Sequence, residues 1–315
     1  MLNKEIIIKR LALIKQLQKI GIEQTTLSET IASFSILSLH DSIEMFLKLL
    51  AEHKNIKSDT FSFLDYWSNI PTLTLKESMR NLNARRVNIK HKGLLPSKSD
   101  IEISKVNTID FFEQNTFSHF NIEFKDISLA TLVESLQVRN YLEVAQKALE
   151  SNDFSKSIEN SAIAFHELLH SYEQNKVTQF GHSPFFFGKS LAFQSSFFMN
   201  IKDRKLAEFI DNVKESVEEM QKAIKILSFG IDYKRFLKFN LLTPNVTRMH
   251  DDTHVAEIWG NKKWSKNNCQ YCIDFVIDTA IKFQEFDFDI QELEEEMVLQ
   301  LKFSPVEVKE NVVKD

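Results

Sequence analysis

Glycine and proline are scarce, 6 and 5 in 315 residues, and these are the residues that most often interrupt a helix. Their scarcity excludes collagen-like, Pro-rich and loop-dominated architectures and points to a mostly helical chain. Cysteine is scarcer still: Cys269 and Cys272 are too few for a disulfide framework, which fits a reduced cytoplasmic protein. No run of roughly 18 or more apolar residues occurs, so no transmembrane helix is expected and no membrane partner. The N-terminal Met1–Lys19 stretch reads as an amphipathic helix rather than a signal peptide, because Lys9, Arg10, Lys15 and Lys19 interrupt it at helical spacing. Positive charge is not in excess either. With 39 Lys and Arg against 44 Asp and Glu, the net charge is −5, which excludes a protein that coats nucleic acid without selectivity. What is plentiful is phenylalanine: 27 of them suggest aromatic packing between helices.

The apolar pattern predicts helices over about 3–20, stopped by Gly21, and 29–53, following Ser28. A short helix near 61–67 ends before Pro71, and Thr74 is placed to cap a helix from Leu75 to His91 that Gly93 and Pro96 terminate. A further helix over 99–120 completes a four- or five-helix bundle. The pattern restarts with helices over 129–150 and 154–174 around a Ser151-Asn152-Asp153 turn. β-branched residues on either side of Asp251-Asp252-Thr253 suit a small β-hairpin within 243–259, and a helix over 268–284 follows. Phe180–Gly188 reads as an aromatic loop that packs across another surface. The chain end, after Glu292-Leu293-Glu294-Glu295-Glu296, reads as frayed.

Leu82–Pro96 holds the most informative pattern: Asn83, then Arg86 five positions before His91, with Lys90 and Gly93 around the histidine. On a helix's last turn a cation and a titratable imidazole can serve one phosphate. Arg80, Arg85, Lys90, Lys92 and Lys98 make this the chain's local basic patch. The block resembles the Asn-x-x-Arg…Lys-His-x-Gly signature of HEPN domains. The likeness extends upstream to His40-Asp41-Ser42-Ile43-Glu44-Met45-Phe46 and Phe63-Leu64-Asp65-Tyr66-Trp67.

The resemblance implies an all-α fold of tandem HEPN-like bundles with the hairpin inserted in the second half: a motif-bearing domain over 1–125, a degenerate one over 126–303, and a flexible tail over 304–315. The second copy has Arg235 after Gly230 but no His within six residues, so it lacks the pair. The implied activity is metal-independent, cofactor-free endoribonuclease action, in a toxin or antiviral effector. His91 would be the acid or base on the ribose 2′-hydroxyl, Arg86 would stabilise the phosphorane, and Glu44, or less favourably Asp41, would orient one of them. Asn83, Arg80, Arg85, Lys90 and Lys92 would bind substrate. One pair per chain implies a homodimer, and a co-encoded sensor or antitoxin is a further implied partner. One subgroup carries a Tyr just after the His as a modification site; here Gly93 stands there. The alternative within the family is a noncatalytic scaffold that binds a partner protein.

Two further patterns compete. His166-Glu167-Leu168-Leu169-His170 is a literal His-Glu-x-x-His, which on a helix can hold Zn²⁺ while Glu167 activates water, as in a metallopeptidase. The residues that follow lack the extended zincin pattern, so a third ligand would come from Glu208 or Glu215. His250 and His254 with Cys269 and Cys272 offer four ligands for a structural zinc, although Cys272 also fits the apolar stripe of its helix.

Overall fold

The computed structural model describes residues 2–178, 183–188, 191, 193–249, 253–257, 263–285 and 287–303, with side chains described to 296. Among the described residues the fold is all-α apart from one two-stranded sheet, and the chain divides into two compact units, Met1–Leu132 and Val133–Asp315. Among the described residues no helix is long and apolar enough to cross a membrane.

The first unit comprises α1 (Lys4–Gln24), α2 (Glu29–His53), the short α3 (Asp65–Asn69), α4 (Lys76–Lys92) and α5 (Lys98–Phe120). Its centre is α2, whose Phe46 meets Phe111, Phe112 and Phe120 of α5 edge-on at 5.4, 5.6 and 5.7 Å. Edge-to-face rings add attraction beyond the area they bury. Ser97 and Asp100 form a reciprocal capping box at the start of α5, and Gly93, at φ 65°, ends α4 in the left-handed conformation.

Three expectations are corrected here. Helix α1 does not stop at Gly21 but continues to Gln24. A Cβ on Gly21 would come within 3.0 Å of the Leu39 side chain and 3.2 Å of its backbone nitrogen, so the glycine marks where α1 and α2 approach closely. Thr74 does not cap α4. Leu75, at φ 58°, occupies that place, while Thr74 accepts a hydrogen bond from Trp67 Nε1 (2.8 Å) and is gripped by Asn115 of α5 on both its backbone nitrogen (3.1 Å) and its hydroxyl (2.9 Å). The division between units falls at 132/133 rather than 125/126. Phe124, stacked on Phe112 at 4.5 Å, and Ile127 belong to the first core, and the 3-10 turn Leu129–Leu132 packs on α1.

The second unit contains α6 (Leu136–Glu150), α7 (Phe154–Gln174), α8 (Arg204–Ser228), α9 (Tyr233–Leu242), β1 (Asn245–Arg248), β2 (His254–Glu257), α10 (Lys266–Glu285) and α11 (Ile290–Phe303). The expected helix over 129–150 starts later, after Ser135, because 129–132 is a separate 3-10 turn. Helices α6 and α7 form a hairpin through Asn152, at φ 60°, and α10 packs against both. Strands β1 and β2 pair antiparallel with Asn245 opposite Glu257 and Arg248 opposite His254. The hairpin is as expected, although its tip at 250–252 lies outside the described residues. Of the aromatic loop, 180–182 also lie outside them; Phe185 is buried against Phe229 with ring centres 4.6 Å apart. The expected tail, 304–315, likewise lies outside.

Candidate functional site

Helix α4 carries three arginines, and the structure sorts them. Arg80 pairs with Glu77 one turn back, at 2.7 Å. Arg85 reaches α5, where Nε and Nη2 both donate to Asp100 Oδ1, at 3.0 and 2.7 Å, and Nη1 donates to Ser104. Both are expected to bind substrate; in the structure each is ion-paired, and Arg85 ties α4 to α5. Consecutive residues on a helix point about 100° apart, so Arg86 turns away from α5 and its charge acts on His40 and Glu44 of α2. Arg86 makes no ion pair among the described residues, and its Nε is buried without a hydrogen-bond partner. A buried, unpartnered guanidinium donor is costly unless something occupies it.

Around it α2 and α4 are joined by polar groups. The imidazole of His40 is almost wholly buried and donates from Nε2 to Asn83 Oδ1 at 3.1 Å. Its Nδ1 stands 3.4 Å from Asp41 Oδ1 and 4.0 Å from Glu44 Oε2, and Phe63 stacks on the ring at 4.3 Å. Burial, and after it the nearby Arg86 charge, push the His40 pKa below its ordinary value despite Asp41 and Glu44. Burial raises the Glu44 carboxyl, but the Lys48 ammonium at 2.9 Å, His40 and Arg86 outweigh it and hold that carboxyl below the usual range. Glu44 also borders a cleft of about 760 Å³ that Arg10, Lys48 and Lys57 line together with Glu52 and Asp59.

His91 is exposed near the end of α4, between exposed Lys90 and Lys92. Five residues on a helix amount to about 140° of rotation and about 7.5 Å of rise. The expectation that Arg86 and His91 share neighbouring faces therefore gives way: Arg86 faces α2, while His91 projects at the open end. His40 opens the upstream stretch quoted for the resemblance but was given no role of its own, because its apolar neighbours on α2 read as core.

Among the described residues, His40, Asp41 and Glu44 are the one set of three potential metal ligands with donor atoms within 4.8 Å of one another. The adjacent Arg86 cation disfavours a second cation there. The His-Glu-x-x-His residues sit on α7, but Glu208 and Glu215, the expected third ligands, are exposed on α8 and do not join His166 and His170 in such a set. Instead His254 of β2 lies with Nε2 3.3 Å from Glu167 Oε2, both side chains almost fully buried, and its ring meets His166 edge-on at 5.4 Å. Glu167, the would-be activator of water, is committed to the hairpin. Of the four-ligand zinc set, Cys269 and Cys272 are fully buried in the packing face of α10, burial pushes the Cys272 thiol up to about 12, and His250 lies outside the described residues. In the second unit, Arg235 is paired with Asp278 at 2.7 Å. Elemental analysis of the purified protein should therefore show no loss of zinc per chain when His166 and His170 are both changed to Ala. A full equivalent lost in that variant would place a metal on α7.

Comparison of the chain with protein-family models, with curated proteins and with solved structures finds no match.

Proposed function

We propose that the chain is a HEPN-type, metal-independent endoribonuclease in which Arg86 and His91 carry the chemistry. The observation that supports this most is the unpartnered Arg86 guanidinium. Of the three arginines on α4 it is the one without an ion pair among the described residues, and it stands one turn from Asn83, which accepts from His40, leaving its guanidinium charge for a phosphate. In this reading the RNA supplies the nucleophile. His91 takes the proton of the ribose 2′-hydroxyl, the oxygen attacks the adjacent phosphorus, and Arg86 stabilises the charge gathering on the phosphorane oxygens. The 5′-oxygen leaves, taking a proton from solvent water, and His91 gives its proton back to solvent, so that the products are a 2′,3′-cyclic phosphate and a 5′-hydroxyl end. Glu44 and His40 hold Arg86 and Asn83 in place. Exposed Lys90 and Lys92 draw the RNA backbone, so cleavage weakens with added salt although the chain as a whole is acidic. The setting, a cytoplasmic toxin or antiviral effector held in check by a partner, rests on the family resemblance, as does the reading of both units as HEPN-like bundles.

His91 and Arg86 of one chain diverge around α4, so a complete site is best built from two chains meeting at their motif helices. Leu94 and Leu95, more than half exposed directly after α4, would be covered in such a homodimer. Purified protein incubated with total RNA in EDTA is expected to generate cyclic-phosphate ends. Adding an excess of His91→Ala chains is expected to lower the activity per wild-type chain several-fold, as most wild-type subunits then face an inactive mate. A rate per chain that stays constant on mixing and on dilution would remove the dimeric site. RNA left intact in EDTA under all conditions would remove the nuclease and leave the partner-binding scaffold.

A further inference from the structure

The second unit holds a cavity that the ribonuclease reading does not use. It has a volume of about 260 Å³ and is walled by α7, α8 and α9. Phe165, Phe236 and Phe239 supply its aromatic sides, with the Phe165 and Phe239 rings 4.9 Å apart. Two lysines of α8 line it and differ in what they face. Lys225 is neutralised by Glu173, with its Nζ 2.8 and 3.0 Å from the two carboxylate oxygens. Lys222 donates to the neutral amide oxygen of Asn240 at 3.1 Å and, among the described residues, makes no ion pair; its ammonium lies 5.8 Å from the centre of the Phe236 ring. The third polar group is His166, whose Nδ1 is buried and has no hydrogen-bond partner among the described residues. Burial, helped by neighbouring His254, His170 and Arg248, pulls its pKa down to about 4, so the ring is neutral at physiological pH.

A concave, mainly apolar pocket with a few convergent polar groups is the usual form of a small-molecule site. We propose that this cavity binds a small aromatic carboxylic acid, its ring against the exposed faces of the phenylalanine cluster and its carboxylate on Lys222, beside the neutral His166 ring. The charge requirement follows from the uncompensated Lys222, the planar ring from the three phenylalanine walls, and the small size from a volume near that of nine waters, at about 30 Å³ each. The site stands independently of any activity of the first unit.

The test uses the full chain, with 2-naphthoate and its neutral amide, 2-naphthamide, as probes in calorimetric titrations and ¹⁵N spectra of the imidazoles. The acid is expected to bind at least tenfold more tightly than the amide, Lys222→Met to abolish that preference without changing the melting temperature, and the His166 resonances to move on addition of the acid. No binding of 2-naphthoate at millimolar concentration, equal binding of acid and amide, an intact preference in Lys222→Met, or unmoved His166 resonances would each overturn the proposal.

Discussion

Changing Arg86 to alanine is expected to reduce RNA cleavage by about 10²–10³-fold, the usual consequence of removing one donor aimed at developing charge. Loss of His91, as the acid or base, should cost about 10²–10⁴-fold. Because the two act on one transition state, the double variant should be scarcely worse than the poorer single one. The structure adds a control that separates chemistry from folding. Arg86 has no ion pair among the described residues and its Nε no hydrogen-bond partner, so Arg86→Ala should leave the melting temperature unchanged or raise it. Arg85, which grips Asp100 and Ser104, should behave in the opposite way: Arg85→Ala should lower stability by about 1 kcal/mol and leave more activity than Arg86→Ala does. Cleavage of a fluorescent RNA and thermal melts of the same samples read both. Full activity in Arg86→Ala or in His91→Ala would show that the site is misassigned.

The largest expected effect on stability lies in the first unit's core. Phe46 is fully buried and meets three rings of α5, so Phe46→Ala removes a large apolar surface and leaves a cavity that those rings are too constrained to fill. A loss of about 3–5 kcal/mol is expected, measured as a lower denaturant midpoint. Phe46→Leu should cost clearly less, as it keeps much of the volume. A loss below about 1 kcal/mol for the alanine variant would mean that the rings do not pack as described.

Much of the fold was legible because its punctuation is local. Gly93, read as the stop of its helix, ends it whatever surrounds it, whereas the Ser97–Asp100 capping box that starts α5 is as local but was not read. Gly21 shows where local reading stops: a glycine after an apolar stripe has the same look whether it caps a helix or admits a neighbour, and here the decision belongs to Leu39 on another helix. Which residues of α2 and α4 stand near one another was legible in part, and their rotation was not. The sequence placed Asn83, Arg86 and Glu44 in one neighbourhood. It did not tell Arg85 from Arg86, since which of two consecutive residues faces α2 depends on how α4 is rotated. His40 was hidden by its apolar neighbours, and the meeting of His254 with Glu167 joins residues too distant in the chain for any spacing rule.

The rotation of α4 has a fixed cause. A left-handed residue stands at each end of the helix, Leu75 at φ 58° and Gly93 at φ 65°. For leucine that conformation costs on the order of 1–2 kcal/mol. Neither end can absorb another helical residue by simple winding, so α4 behaves like a bolt with a shoulder at both ends, unable to slide along its axis. A slip of one residue would turn it by about 100°, carry Arg85 toward α2 and swing Arg86 away from it, exchanging the arginine that fastens α4 to α5 with the one proposed to meet the phosphate. Fidelity of the site is thus held in the thread of one helix, and the strain at Leu75 is part of what locks it.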